Sequence, residues 1–265
     1  MRATVNVAHE PLLAVQNLMK AYGAVNAVDR VSLSLFPGEL VALMGGNGAG
    51  KSTLLKAIAG AIKPDGGSIS VEGRELRLGS PAEARAHGVE CVYQDVALVP
   101  YLDIGHNMFL GREPGHANPL LRRLGFVDQR RMQDEATSFL RNLGVAVPSA
   151  TTWAESLSGG QRQALAVSRG VFWSPKVMLL DEPTAALGVH ESAEVLKLIA
   201  DHHRADNVVL MVTHSLDQAF NLANRILVMY LGRLVGDLRP GESSPGDVAQ
   251  LMAGIGRSSG TAVAG

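Results

Sequence analysis

Residues 45–52 read GGNGAGKS, the densest chemistry on the chain. Gly45, Gly46, Gly48 and Gly50, with Asn47 and Ala49 between them, let the backbone curl so that several N–H groups face one point, a cradle for phosphate. Lys51 adds a point charge for β- and γ-phosphates. The Ser52 hydroxyl is placed to ligate Mg²⁺, and Thr53 completes the phosphate-binding stretch. A chance glycine-rich turn competes poorly with this reading. A buried-looking strand leads in, and a helix with Leu54, Leu55 and Ile58 on one face leads out. LLDEP at 179–183 supplies two adjacent carboxylates at a strand end. Asp181 would hold Mg²⁺ through water, and Glu182 would polarise an attacking water as general base or orienting group. Carboxylates in such places also cap helices, so the pair draws its meaning from the cradle upstream. LSGGQ at 157–161 opens an amphipathic pattern. Its start, Ser158, Gly159, Gly160 and Gln161, is a second anion site with free N–H groups, a positive dipole end, a hydroxyl and no bulk. One chain therefore holds two sites for the same anion.

These residues need a scaffold. LVALM (40–44), VMLL (177–180) and VVLMV (208–212) are short, continuous apolar runs. Strands buried on both faces look like this, so a parallel sheet covered by helices is expected. Helical patterns follow each run: KSTLLKAIAG, ESAEVLKLIADHH and LDQAFNLANR. The core is α/β. In an open parallel sheet, ligands sit at the carboxyl ends of the strands. The first run leads into the cradle, the second ends in Asp181-Glu182, and the third ends in Thr213-His214. Residues 11–44 read as strands, 68–76 as a hairpin turning at Glu72-Gly73, and 225–238 as a final hairpin around Leu231-Gly232. The stretch from about 96 to 165 reads as a mostly helical insertion. Residues 241–265 read as a tail whose last part, GIGRSSGTAVAG, frays.

Together, the cradle, LSGGQ ahead of the aspartate strand, DEP and a strand-final histidine resemble the ATP-binding cassette (ABC) ATPases, over roughly 11–240. The resemblance implies a P-loop NTPase, RecA-like core with a mostly parallel sheet, an antiparallel β subdomain and a helical subdomain, using ATP and Mg²⁺. It also accounts for the two anion sites. Cassettes of this family dimerise head to tail, and the Ser158–Gln161 helix start of one grips the γ-phosphate held by the other. This chain has one such cassette, so a second copy or a paralogue must supply the other. Three further positions carry over. Tyr22, in KAYG, matches the adenine-stacking ring, although a solvent-edge tyrosine is an equal reading from the residues alone. Gln94, in VYQD, matches the loop glutamine that meets Mg²⁺ and the attacking water. His214 matches the histidine that contacts the γ-phosphate. Where many members carry Asp in the loop that crosses the dimer interface, this chain has Gly188, which puts cross-talk through that carboxylate in doubt.

Within the family, 91–113 and 181–192 look like the ATPases of bacterial monosaccharide importers of the ribose, xylose and fructose type. Many of that group fuse two cassettes. Such a subunit works peripherally at the cytoplasmic face of the membrane, beneath permease subunits and, indirectly, a substrate-binding protein. Permease coupling helices would dock near Gln94 and the helical insertion. A cassette for another cargo, for an exporter, or for nucleic acid or ribosomes is the alternative. Composition bears on the last of these. The net charge is −1 with no global basic field, which argues against nucleic acid. Hydrophobic residues make up 46%, as expected of a folded chain. The N-terminus lacks a signal-peptide core, and no apolar run approaches 18 residues. The lone Cys91 suits a reducing compartment and reads as a small buried hydrophobe. His202 and His203 read as a solvated helix end.

Overall fold

The computed structural model describes residues 10–94, 97–145, 147–173, 175–185 and 187–255. It divides into two compact units. The first contains Met1–Cys91, Pro175–Glu182 and His203–Gly265, and the second Val92–Ser174 and Pro183–His202.

The first unit holds two sheets. β1 (Leu13–Tyr22) and β2 (Val25–Leu35) form a long antiparallel pair. β3 (Leu40–Gly45) carries a buried side chain at every position and runs into α1 (Lys51–Ile58). β4 (Gly66–Val71) and β5 (Arg74–Glu75) extend the β1–β2 pair into a four-stranded sheet of order β2-β1-β4-β5. The turn between β4 and β5 falls at Glu72-Gly73, as the pattern predicts. α2 (Pro81–Ala86) follows, its N-cap Ser80 accepting a hydrogen bond from Glu83 N–H. The strand β6 (Val89–Val92) comes next.

The second unit begins at Val92, the last residue of β6, and is otherwise mostly helical, as expected. It contains α3 (Ile104–Phe109), α4 (Pro119–Arg123), α5 (Gln129–Asn142), a 3₁₀ turn at Ala154–Ser156 and α6 (Gly159–Phe172). Ile104, Met108, Met132, Leu140 and Leu165 form its core. Phe109, Phe139, Phe172 and Trp173 stack edge to face beside it, with centroids 4.8–5.6 Å apart. Buried Asn107 is held by Val99, Leu102 and Asp103, which fixes the loop that exposes Tyr101.

The chain then returns to the first unit through β7 (Val177–Asp181), adds α7 (Val189–His202) to the second, and continues with β8 (Val208–Val212) and α8 (Leu216–Leu222). β9 (Arg225–Tyr230), β10 (Arg233–Leu238) and α9 (Pro245–Met252) complete the described elements. The larger sheet has the order β10-β9-β3-β8-β7-β6. β3, β7 and β8 pair in parallel, as their apolar runs imply.

Four local readings change. The 225–238 segment is a hairpin, but its first strand also pairs in parallel with β3, with Val41 opposite Arg225. The segment taken as a tail contains α9, capped by a reciprocal Ser244–Asp247 box and burying Val248 and Leu251. Residues 256–265 lie outside the described residues. Cys91 is half-buried. His202 and His203 are also half-buried, and His202 Nδ1 lies 3.1 Å from the Leu198 carbonyl oxygen.

Candidate functional site

The 45–52 stretch leaves β3 and wraps into α1. Gly50 is the N-cap residue of α1 with φ at 102°, which only glycine adopts without strain. A Cβ there would also run into the carbonyl of Ala27. The loop is braced from the far end of the chain: Gly232 N–H, in the β9–β10 turn, donates to the Ala49 carbonyl at 3.0 Å. Lys51 is 7% exposed, and its ammonium donates to the carbonyls of Gly45 (2.8 Å) and Gly46 (3.0 Å). Burial lowers its pKa, and Glu182 and Asp181 oppose that shift.

Asp181 ends β7, buried at 3% exposure, and accepts the Ser52 hydroxyl at 3.1 Å. Desolvation raises its carboxyl pKa, against the Ser52 hydrogen bond and with help from the Glu182 charge. Glu182 is the next residue, and its φ of 50° lies in the left-handed region. A non-glycine residue held there stores of order 1 kcal/mol or more of strain. Its N–H donates to Val212 O of β8 at 3.1 Å, which ties the strained turn to the sheet. Its carboxylate lies 3.5 Å from His214 Nδ1. His214 is presented by its neighbours. Buried Thr213 donates through Oγ1 to Gln218 Oε1 at 2.9 Å and accepts from Ser215 N–H at 3.1 Å. Ser215 in turn caps α8. Lys51, Ser52, Asp181, Glu182 and His214 thus lie in one unit at the carboxyl ends of β3, β7 and β8. His214 is largely exposed, so its contact with Glu182 contributes little stability. Tyr22 is 52% exposed at the end of β1 in the same unit.

Gln94 and the 157–161 stretch belong to the second unit. Gln94 is exposed just beyond β6. Ser158 is the N-cap of α6 in a capping box. Ser158 Oγ accepts from Gln161 N–H at 3.2 Å, and Gln161 Oε1 accepts from Ser158 N–H at 3.0 Å. Part of the expected anion-binding equipment is therefore engaged in shaping the helix start, while the Ser158 hydroxyl proton stays available to an acceptor. A Cβ on Gly159 would meet nothing within 4 Å, so that side of the helix start is open. Gly160 is different. A Cβ there would come within 2.8 Å of Glu191 Cγ, so its bareness lets the first turn of α7 close onto α6. Glu191 also accepts Gly188 N–H at 2.7 Å. The missing side chain at 188 thus has a nearby carboxylate from the following helix turn.

The profile described as "ABC transporter" matches residues 28–185. The chain is 43% identical over 252 residues to the fructose import ATP-binding protein of Rhizobium meliloti, covering 94% of this chain and 96% of that one. The chain belongs to the ABC transporter family. As an ATP-binding cassette of that family it is an ATPase. It is also 41% identical over 241 residues to the xylose/arabinose import ATP-binding protein of Sulfolobus acidocaldarius, covering 91% and 93%. A dimeric ATP-binding cassette bound to ADP and Pi shares the fold, with a TM-score of 0.71 at 24% identity over 86% of this chain and 98% of that one.

The motif residues were visible in the sequence of this ABC family member. Thr213, Ser215, Gly232 and Glu191 were not seen as supports. Ser215 ahead of a helical pattern is a readable cap. The other three act through distant partners or through a contact with no local pattern.

Proposed function

We propose that this cassette is the ATP-hydrolysing motor of an importer that takes up a monosaccharide through separate membrane subunits. The observation that carries the reaction is the cluster at the strand ends: Ser52 on Asp181 at 3.1 Å, and the strained Glu182 beside His214 at 3.5 Å. The sugar-import names of its relatives support the cargo class.

Asp181 and Ser52 present hard oxygen donors, which suit Mg²⁺, and the partly desolvated carboxylate would be stabilised by a dication beside it. Mg²⁺ held there with nucleotide would supply charge neutralisation at the phosphates and polarisation of the terminal phosphoryl group. The chain's own residues do the rest. Backbone N–H groups of 45–50 cradle the phosphates, Lys51 exchanges its carbonyl partners for phosphate oxygens, and Tyr22 stacks on the base. Glu182 orients the attacking water and takes its proton, with His214 holding that carboxylate and meeting the γ-phosphate. Ser158, Gly159, Gly160 and Gln161 would grip the γ-phosphate of a second cassette's nucleotide, with a copy of this chain as the simplest partner.

Among the described residues no helix is long and apolar enough to cross a membrane. Exposed Tyr101 (70%) and Trp153 (53%), the latter bridged to Asp103, would face the permease, on the cytoplasmic side. A substrate-binding protein would complete the importer. The test is a mild-detergent pull-down of tagged Glu182→Gln protein with ATP. Co-purification of a polytopic permease and a sugar-binding protein is expected. Ribosomal or DNA-bound partners in their place would refute the transport reading and leave the ATPase intact.

A further inference from the structure

Tyr22 sits at a strand end, 52% exposed. The structure supplies a support from elsewhere. Asp65, in the segment between α1 and β4, meets the end of β1 three times. Its Oδ2 accepts Ala21 N–H at 2.7 Å, its Oδ1 accepts Lys20 Nζ at 2.9 Å, and its own N–H donates to the Met19 carbonyl at 2.8 Å. Lys20 Nζ in turn lies over the Tyr22 ring, 5.5 Å from its centroid. The backbone hydrogen bond from Ala21 and then the one from Lys20 hold the Asp65 carboxyl below the usual carboxylate range, so it is ionised throughout the neutral range.

We infer that Asp65 and Lys20 are positioning residues for nucleotide binding: Asp65 pins the backbone before Tyr22 and holds the Lys20 ammonium on one face of the ring, leaving the other face for a purine base. Three physical points support this. Two backbone hydrogen bonds fix the strand end on either side of Lys20, so the Tyr22 ring starts from an ordered Cα. An ammonium over an aromatic face is attracted by the ring quadrupole and occupies that face. It also withdraws density from the ring, which favours stacking against an electron-rich base. The segment carrying Asp65 follows α1, the helix that begins with Lys51, so the part of the chain that ends the phosphate cradle also sets the base platform. The inference rests on the proposed stacking role of Tyr22.

The test compares ATP with inorganic tripolyphosphate, which has phosphates and no base, by equilibrium binding to the purified chain. Stacking contributions measured by alanine substitution imply that Tyr22→Ala weakens ATP roughly tenfold and leaves tripolyphosphate unchanged. Asp65→Ala should weaken ATP about fivefold, again with tripolyphosphate unchanged. Asp65→Asn, whose amide oxygen can still accept Ala21 N–H, should recover part of the loss and guards against a folding defect in the alanine variant. In a Tyr22→Ala background, Asp65→Ala should add nothing. The inference is overturned if Asp65→Ala leaves ATP affinity intact, weakens both ligands equally, or weakens ATP further when Tyr22 is absent. If Tyr22→Ala itself leaves ATP affinity unchanged, the stacking reading falls and the inference falls with it. A loss in Tyr22→Ala without one in Asp65→Ala removes the inference alone.

Discussion

At the scale of single residues, this ABC cassette keeps two adjacent carboxylates in positions that cost stability. Asp181 is buried and accepts the Ser52 hydroxyl, and Glu182 sits at a φ that non-glycine residues avoid. Both are the kind of local cost that accumulates where ligands bind. Asp181 gives a test with a definite sign. Its folded pKa is raised above 3.8, so in the absence of metal the native state binds more protons than the unfolded state just above that pH. Stability therefore falls as pH rises through the window between 3.8 and the raised value, and stays lower above it. With EDTA and no nucleotide, Asp181→Asn is expected to melt a few degrees above the parent chain at pH 7. The gain should vanish below pH 3.8, and turnover with Mg²⁺ should be lost. Thermal unfolding across pH reads the first two, and a parent-like melting point at pH 7 would contradict the desolvation argument. Glu182→Gln keeps size and loses the proposed base. Phosphate release should fall by about two orders of magnitude or more while ATP still binds.

At the scale of elements, the phosphate cradle is built by parts of the chain far from its motif. The β9–β10 turn has positive φ at Leu231 (45°) and Gly232 (79°), and it bonds Ala49 on one side. A Cβ at 232 would come within 2.6 Å of the Asn26 carbonyl of β2. Gly232→Val is thus expected to displace this turn, loosen the cradle and raise the KM for ATP severalfold with a smaller change in kcat, although it lies outside every nucleotide motif. An unchanged KM would show that the cradle holds its shape unaided. The edge of the same sheet is tied by Arg225, which reaches the Asp237 carboxylate, Ser34 O and Glu39 from a largely buried position. The Asp237 hydrogen bond raises its pKa further. Arg225→Met leaves Glu39, 17% exposed, with its Phe36 N–H hydrogen bond but without its cationic partner, and should cost about 3 kcal/mol in denaturant unfolding. A loss under 1 kcal/mol would mean that solvent replaces the pair.

At the scale of the whole molecule, the phosphate cradle and the Ser158 helix start lie in different compact units. Their joint action is proposed to need a second cassette. Ser158→Arg places a long cation at the helix start and removes the hydroxyl of the capping box. ATP binding measured on the monomer should remain within about twofold, because Lys51 and the 45–50 loop are untouched. ATP-driven dimerisation of the Glu182→Gln chain should disappear. Undiminished dimers by light scattering would contradict the head-to-tail arrangement.

Each motif stands out in the sequence because contiguous residues form it. Alternating glycines before Lys51, two carboxylates closing an apolar run, and Ser-Gly-Gly opening an amphipathic run set local backbone geometry that needs no distant partner to be recognised. The parallel core was legible for a related reason, since β3, β7 and β8 are apolar at nearly every position and only burial on both faces accommodates that. Tertiary structure decided what depends on pairing between distant segments. β9 reads locally as one arm of a hairpin, and its second pairing, with β3, has no local signature. Asp65 has no pattern around it, and only the fold brings it, 44 residues away in sequence, to Ala21. Gly160 reads as phosphate clearance until Glu191 packs on it. In each case the sequence determines what a backbone segment can do by itself, and only the close packing of segments decides which groups brace it.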